Sequence, residues 1–255
     1  PQRAHSEMID THCHLNFPPL NARAEAAIHR AFLVGVDQIL VPSFDHASWN
    51  AVAKLAAYGP VLPAFGIHPW VAERVDTERL KEILVQAGAV AIGEIGLDFK
   101  LESFDRELQL TNFQAQLDLA VAMDLPVMLH CRGAFEEMLT ILAQMPRCPR
   151  GVVHAFSRGP ELMERFLGLG LHVAFGGAIT RPGAKQARRS AALAPADRIL
   201  LETDAPSIGL HEVMPEDVEP RHIIDIAVSL AEVRGESFES IADGTTRNAR
   251  RLFGI

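Results

Sequence analysis

The sequence predicts an α/β fold: a single-domain (β/α)₈ barrel of parallel strands. Three observations point there. Short runs rich in β-branched residues recur along the chain, amphipathic helix-length stretches separate them, and eight such units fit within a chain of 255 residues. One barrel domain of this kind routinely takes about 250 residues. The predicted strands, in order, are EMIDTHC (7–13), DQILVPS (37–43), VLPAFGIH (61–68), VAIGEIG (90–96), PVMLH (126–130), GVVHAF (151–156), HVAFGG (172–177) and RILLETD (198–204). Between them, AEAAIHRAFLVGV and DRELQLTNFQAQLDLAVAMD place apolar residues at helical spacing. After about Pro220 the segments EPRHIIDIAVSLAEVRG and TTRNARRLFG read as closing helices. A doubly wound open sheet is the alternative, but the G-x-G-x-x-G fingerprint is absent after the first strand.

Composition narrows the classes. The chain is 48% hydrophobic and 22% charged, which is ordinary for a globular protein with a substantial core. With 24 Lys and Arg against 32 Asp and Glu, its net charge of −8 does not favour a polyanion, so any nucleic-acid role must rest on local charge. Cys13, Cys131 and Cys148 are odd in number and widely spread, which argues against a disulfide framework and suits a reducing, cytoplasmic setting. No apolar run reaches roughly 18 residues, so no membrane span is expected. Residues 1–7 read as an N-terminal extension, with the barrel domain expected over 8–255.

In such a barrel the chemistry gathers where the strands end. The first predicted strand ends with His12 and His14, which alternation would turn to one face, with Cys13 turned away. The fourth carries Glu94, the fifth ends at His130, the sixth holds His154 and the eighth ends at Asp204. Four imidazoles and two carboxylates on one rim read as a metal site. The donor count suggests two divalent ions, one with His12, His14 and Asp204, the other with His130 and His154, and Glu94 bridging. Mixed imidazole and carboxylate donors suit Zn²⁺ or Mn²⁺; Mg²⁺ prefers more oxygen.

The motifs IDTHCHL, GEIGLD, HCR, HAFS and LLETDAP, in this order, resemble the TatD family of metal-dependent deoxyribonucleases from Met8 to the tail. The resemblance implies a TIM barrel of the amidohydrolase superfamily and hydrolysis of DNA phosphodiesters, from the 3′ end of single strands in some members. It places the metal ligands on His12, His14, Glu94, His130, His154 and Asp204, and a further family histidine on His68, which we read as substrate-facing. Three departures fall in the loops that set specificity. Phe99-Lys100 replaces an aromatic pair, Arg158 stands where glycine is usual, and an acidic stretch after TDAP leaves Arg221 as the nearest basic match.

Around this set, Asp10 and Glu202 stand two before His12 and Asp204 and read as partners that orient the ligands; Asp98 either orients a ligand or caps a turn. Arg132 and Arg158 are placed to meet a phosphate, with Lys100, Arg181, Lys185 and Arg221 as weaker candidates. Cys131 follows a ligand histidine and reads as packing. The expected function is metal-dependent cleavage of single-stranded DNA ends by a metal-activated water, with Asp204 accepting its proton, and with no membrane and no obligate protein partner. A superfamily hydrolase of a small ester, lactone or amide would instead show a compact apolar pocket without the arginines. A non-catalytic binding protein would have lost ligands.

Overall fold

A computed structural model describes residues 7–255, so all but Glu7 of the expected N-terminal extension lies outside the described residues. Strands and helices alternate as β1 (Met8–Asp10), α1 (Ala24–Leu33), β2 (Val36–Pro42), α2 (Trp49–Leu55), β3 (Val61–Phe65), α3 (Thr77–Gln86), β4 (Ala91–Asp98) and α4 (Arg106–Met123). They continue as β5 (Val127–Arg132), α5 (Phe135–Gln144), β6 (Gly151–Val153), α6 (Pro160–Gly168), β7 (His172–Phe175), α7 (Lys185–Leu193), β8 (Ile199–Leu201), α8 (Ile223–Arg234) and α9 (Phe238–Phe253).

The strands form one parallel sheet in sequence order, β1 to β8. The sheet curls into a ring: the Thr11 N–H donates to Leu201 O at 3.0 Å and the Asp204 N–H to His12 O at 2.8 Å, bringing the β1 and β8 ends together. Side-chain caps fix several helix starts, as Asp76 accepts from Arg79 N, Asp105 from Leu108 N and Ser237 from Ser240 N. Gly235 and Gly254 stop α8 and α9 in the left-handed conformation that glycine adopts without a Cβ penalty.

Each strand gives one residue to an inner apolar layer: Ile9, Leu40, Ala64, Ala91, Met128, Val152, Ala174 and Leu200. Ala249, Leu252 and Phe253 of α9 join that layer, so the last helix plugs the barrel floor. The outward strand residues pack in a second, larger core with the helices. With its floor sealed, the barrel is left open to chemistry at the opposite rim.

Five strands are shorter than expected, β1, β3, β6, β7 and β8, whereas β4 and β5 run longer. Pairing in β1 stops at Asp10 and in β8 at Leu201, so His12, His14 and Asp204 lie just beyond the ladder. Nor does simple alternation aim them. Ile9 faces the inner layer, yet so does the site that receives His12 three residues later, because the chain bends at Thr11. In β4 the register with β5 slips between Ile92 and Ile95. Ile92, Ile95 and Leu97 all pack in the outer core, so the slip is what turns Glu94 inward. Gly96 lets β4 and β5 approach there, since a Cβ on it would lie 1.9 Å from His130 O.

Candidate metal centre

At the open rim the six expected ligands converge. The Nε2 atoms of His12 and His14 lie 3.1 Å apart. Glu94 divides its carboxylate between two groups. Its Oε2 is 3.2 Å from His12 Nε2 and 3.4 Å from His14 Nε2, while its Oε1 is 2.8 Å from His154 Nε2 and 3.0 Å from His130 Nδ1. Asp204 Oδ1 completes the first group, 3.4 Å from His14 Nε2. His68, read from the sequence as facing substrate, joins the second, with Nε2 3.3 Å from Glu94 Oε1. Donor atoms of three overlapping sets lie close enough to share an ion: His12, His14 and Asp204; His12, Glu94 and His154; and His68, Glu94 and His130.

The electrostatics fit a cation. Asp204 Oδ1, which faces the Nε2 atoms of His12 and His14, is buried without a hydrogen-bond partner, an expensive state for a polar atom. Burial would push Glu94 up, but the imidazoles of His154, His68 and His12 outweigh it and hold the carboxylate well below its ordinary range. His14 is held up at about 9, since the Asp204 and Glu94 carboxylates outweigh its burial. Burial drives His68 down to about 4 and also lowers His12. Imidazole nitrogens crowded on buried carboxylates are a donor set made for divalent ions.

The supporting residues do more than their spacing showed. Asp98 is a hub: its carboxylate accepts from His130 Nε2 at 3.1 Å, Trp70 Nε1 at 2.6 Å, Arg132 Nε at 2.9 Å and the Lys100 N–H at 3.0 Å. It both orients His130 and closes a turn. Asp10 does not reach an imidazole. It accepts from Thr203 Oγ1, the Thr203 N–H and the His12 N–H, tying the β1 end to the β8 end, and burial pushes it up to about 8. Glu202 accepts the Ala155 N–H at 2.5 Å and sits 3.6 Å from His154 Nδ1. Ala155 and Asp204 both take left-handed backbone, with φ of 48° and 49°, strain tolerated where it aims a functional group.

A pocket of about 420 Å³ opens over the cluster. Arg132 and Arg158 stand in its wall, the latter with Cζ 5.0 Å over the Phe135 ring. Arg221 does not; it pairs with Glu219, a buried carboxylate that also holds Arg23 and Arg30, and this local demand for cations explains its placement. Lys100 and Lys185 are also outside the wall, and Arg181 borders an adjoining recess with its Nη2 on Gly209 O. Cys131 packs against the outer core, as expected, and also reaches the pocket wall; burial pushes its thiol up to about 12, so it offers no thiolate at neutral pH. Cys13 is buried, as alternation suggested. Sequence reasoning passed over the rings of Phe17, Phe44 and Trp70, which come one from each of three separate loops and leave no local pattern.

A parallel (β/α)₈ barrel with histidines and carboxylates gathered at the C-terminal rim defines the class of metal-dependent hydrolases. Within that class the chain belongs to the TatD related DNase family, whose model matches residues 9–254. It is 37% identical to the uncharacterized metal-dependent hydrolase YjjV of Escherichia coli K12, over 97% of this chain and 98% of that one. It is 32% identical to a 3′-5′ ssDNA/RNA exonuclease TatD of Erwinia billingiae, over 97% and 99%. The crystal structure of the E. coli YjjV protein superposes with a TM-score of 0.91 at 36% identity, covering 98% of this chain and 99% of that one. An organophosphorus hydrolase of Deinococcus radiodurans shares the fold alone, with a TM-score of 0.66 at 16% identity. No helix among the described residues is long and apolar enough to cross a membrane.

Proposed function

We propose that this chain hydrolyses phosphodiesters at the 3′ ends of single-stranded DNA, using two divalent ions. The observation that carries the reading is the division of Glu94, with Oε2 toward His12 and His14 and Oε1 toward His130 and His154, beneath a pocket walled by two arginines. His12, His14 and Asp204 would hold one ion, His130 and His154 the other, and Glu94 would span both. The donors suit Zn²⁺ or Mn²⁺, and Mg²⁺ less well. A bound pair of such ions supplies Lewis acidity to a water and to a leaving oxygen.

The chain's own residues do the rest. Asp204 Oδ1, buried without a hydrogen bond, accepts the proton of the attacking water. Asp98 holds His130 by its Nε2 and Arg132 by its Nε, which places a half-exposed guanidinium at the pocket wall to receive a phosphate oxygen. His68 packs against the second group, its Nδ1 accepting the Trp70 backbone N–H and its Nε2 turned to Glu94 Oε1. The ester, lactone or amide reading called for a compact apolar pocket without arginines, and Arg132 and Arg158 line this one. The non-catalytic reading called for lost ligands, and all six are together. The name of the Erwinia relative supports a single-stranded substrate, and three free cysteines suit the cytoplasm.

The test is hydrolysis of 3′-labelled single- and double-stranded oligonucleotides with Mg²⁺, Mn²⁺ or Zn²⁺. Release of 3′ nucleotides from the single strand is expected with at least one metal. No cleavage of either strand with any of them would overturn the reading.

A further inference from the structure

One wall of the pocket is aromatic, and its rings form a series. Phe17 is stacked on His14 with centroids 4.3 Å apart, Phe44 meets Phe17 edge-on at 5.8 Å, and Phe44 is stacked on His68 at 4.8 Å. Trp70 ends the series, edge-on to Phe44 at 6.3 Å and to His68 at 5.0 Å. The protein has two tryptophans, and burial treats them differently: Trp49 is 2% exposed and donates to Gly66 O, whereas Trp70 is 50% exposed at the pocket mouth.

We infer that this wall is a nucleobase-stacking subsite, with Trp70 as its outer platform for the unpaired base next to the phosphate under attack. The inference rests on the phosphodiester reading and names what flanks that phosphate. Trp70 is no loose surface ring, because its indole N–H donates to Asp98 at 2.6 Å. A ring oriented in advance loses little freedom when a ligand stacks on it. Its centroid lies 6.2 Å from that of His130, so a base on the wall keeps its own phosphate within reach of the cluster. Arg132, with Cζ over the Trp70 ring at 5.8 Å from its centroid, puts a phosphate-seeking cation on one side of the platform, and the half-exposed ring leaves its other side for a base. Every base has a π face, so such a wall is tolerant of sequence. At a duplex end the terminal base is paired to its partner and stacked on its inner neighbour, so seating it on the wall requires unpairing and the wall favours unpaired ends.

The experiment uses the metal-loaded enzyme and two single strands of one sequence, one intact and one abasic at its last two 3′ positions. Wild-type enzyme should show a KM about tenfold lower for the intact strand. Trp70→Leu should lose that preference, the KM values for the intact and abasic strands coming together. Trp70→Phe, which keeps a ring but loses the N–H to Asp98, should recover most of that loss. Equal KM for the two strands in wild type would overturn the subsite. So would a Trp70→Leu effect of the same size on both strands, which would make Trp70 only a brace for Asp98. Failure to cleave either strand refutes the phosphodiester reading by itself. Rapid-mixing fluorescence then decides the subsite separately: quenching by the intact strand alone supports it, and no quenching overturns it.

Discussion

Glu94 works through its two oxygens, each turned to a different group of imidazoles, so losing that carboxylate should be severe. Glu94→Ala removes the carboxylate shared by both imidazole groups. Arg132, in contrast, is 48% exposed and touches Asp98, none of the six ligands. Arg132→Ala should therefore keep its metal and fold while raising KM roughly tenfold, the worth of one charge-assisted hydrogen bond to a phosphate. Elemental analysis beside steady-state kinetics checks it; loss of metal in Arg132→Ala would place that residue in the centre itself. At this scale the sequence was informative about residue types and uninformative about partners. His68 was visible as a strand-end histidine, but that its Nε2 turns to Glu94 was not. Asp98 was visible as an aspartate after a strand, yet its four donors come from three different stretches of chain. Arg221 was misjudged because Glu219, buried two residues earlier, attracts three guanidiniums.

Among the elements, β4 matters most for the site. Its slipped register turns Glu94 inward, and Gly96 permits the close pass of β5 that carries His130. Gly96 has φ of +151° and no room for a Cβ against the His130 carbonyl. Gly96→Ala should cost on the order of 3 kcal/mol or more in stability. It should also weaken metal binding, by prising His130 from Glu94. Denaturant titration with metal analysis checks both, and an unchanged midpoint would mean that the pass is not tight. All eight strands and their order were legible from periodicity, because buried parallel strands leave dense β-branched runs. The bend at Thr11 and the register slip within β4 were not, since a one-residue slip changes no residue type and only reverses which face each residue takes.

Across the whole molecule, charge and burial set the response to salt and pH. The net charge of −8 and the absence of a long basic run leave the rim arginines and bound ions as the contacts for phosphate. About two or three phosphate contacts are expected, with a slope of log affinity against log salt near −2 for single strands. A slope steeper than about −5, measured with catalytically blocked enzyme, would require an extended basic track. The pH response includes a group far from that rim. His172 begins β7 on the floor side, and burial, reinforced by Arg198, lowers it from 6.5 to about 4. As pH falls below 6.5, the unfolded chain takes up a proton that the folded chain refuses until about 4, so stability is lost across that window. His172→Gln should remove about 2 kcal/mol of that acid-side loss, allowing for solvent screening. Urea midpoints at pH 7 and pH 4.5 read the difference, and an unchanged difference would mean His172 titrates normally in the fold.

The most direct measurement of the proposed two-ion centre is metal stoichiometry with turnover, made on wild-type enzyme and on Glu94→Ala. After chelation and reloading, wild type should bind two ions per chain and regain cleavage of a single-stranded oligonucleotide. Glu94→Ala should bind neither ion firmly and should remain inactive. Two ions retained by Glu94→Ala, or full wild-type activity in excess chelator with metal shown to be absent, would contradict the account.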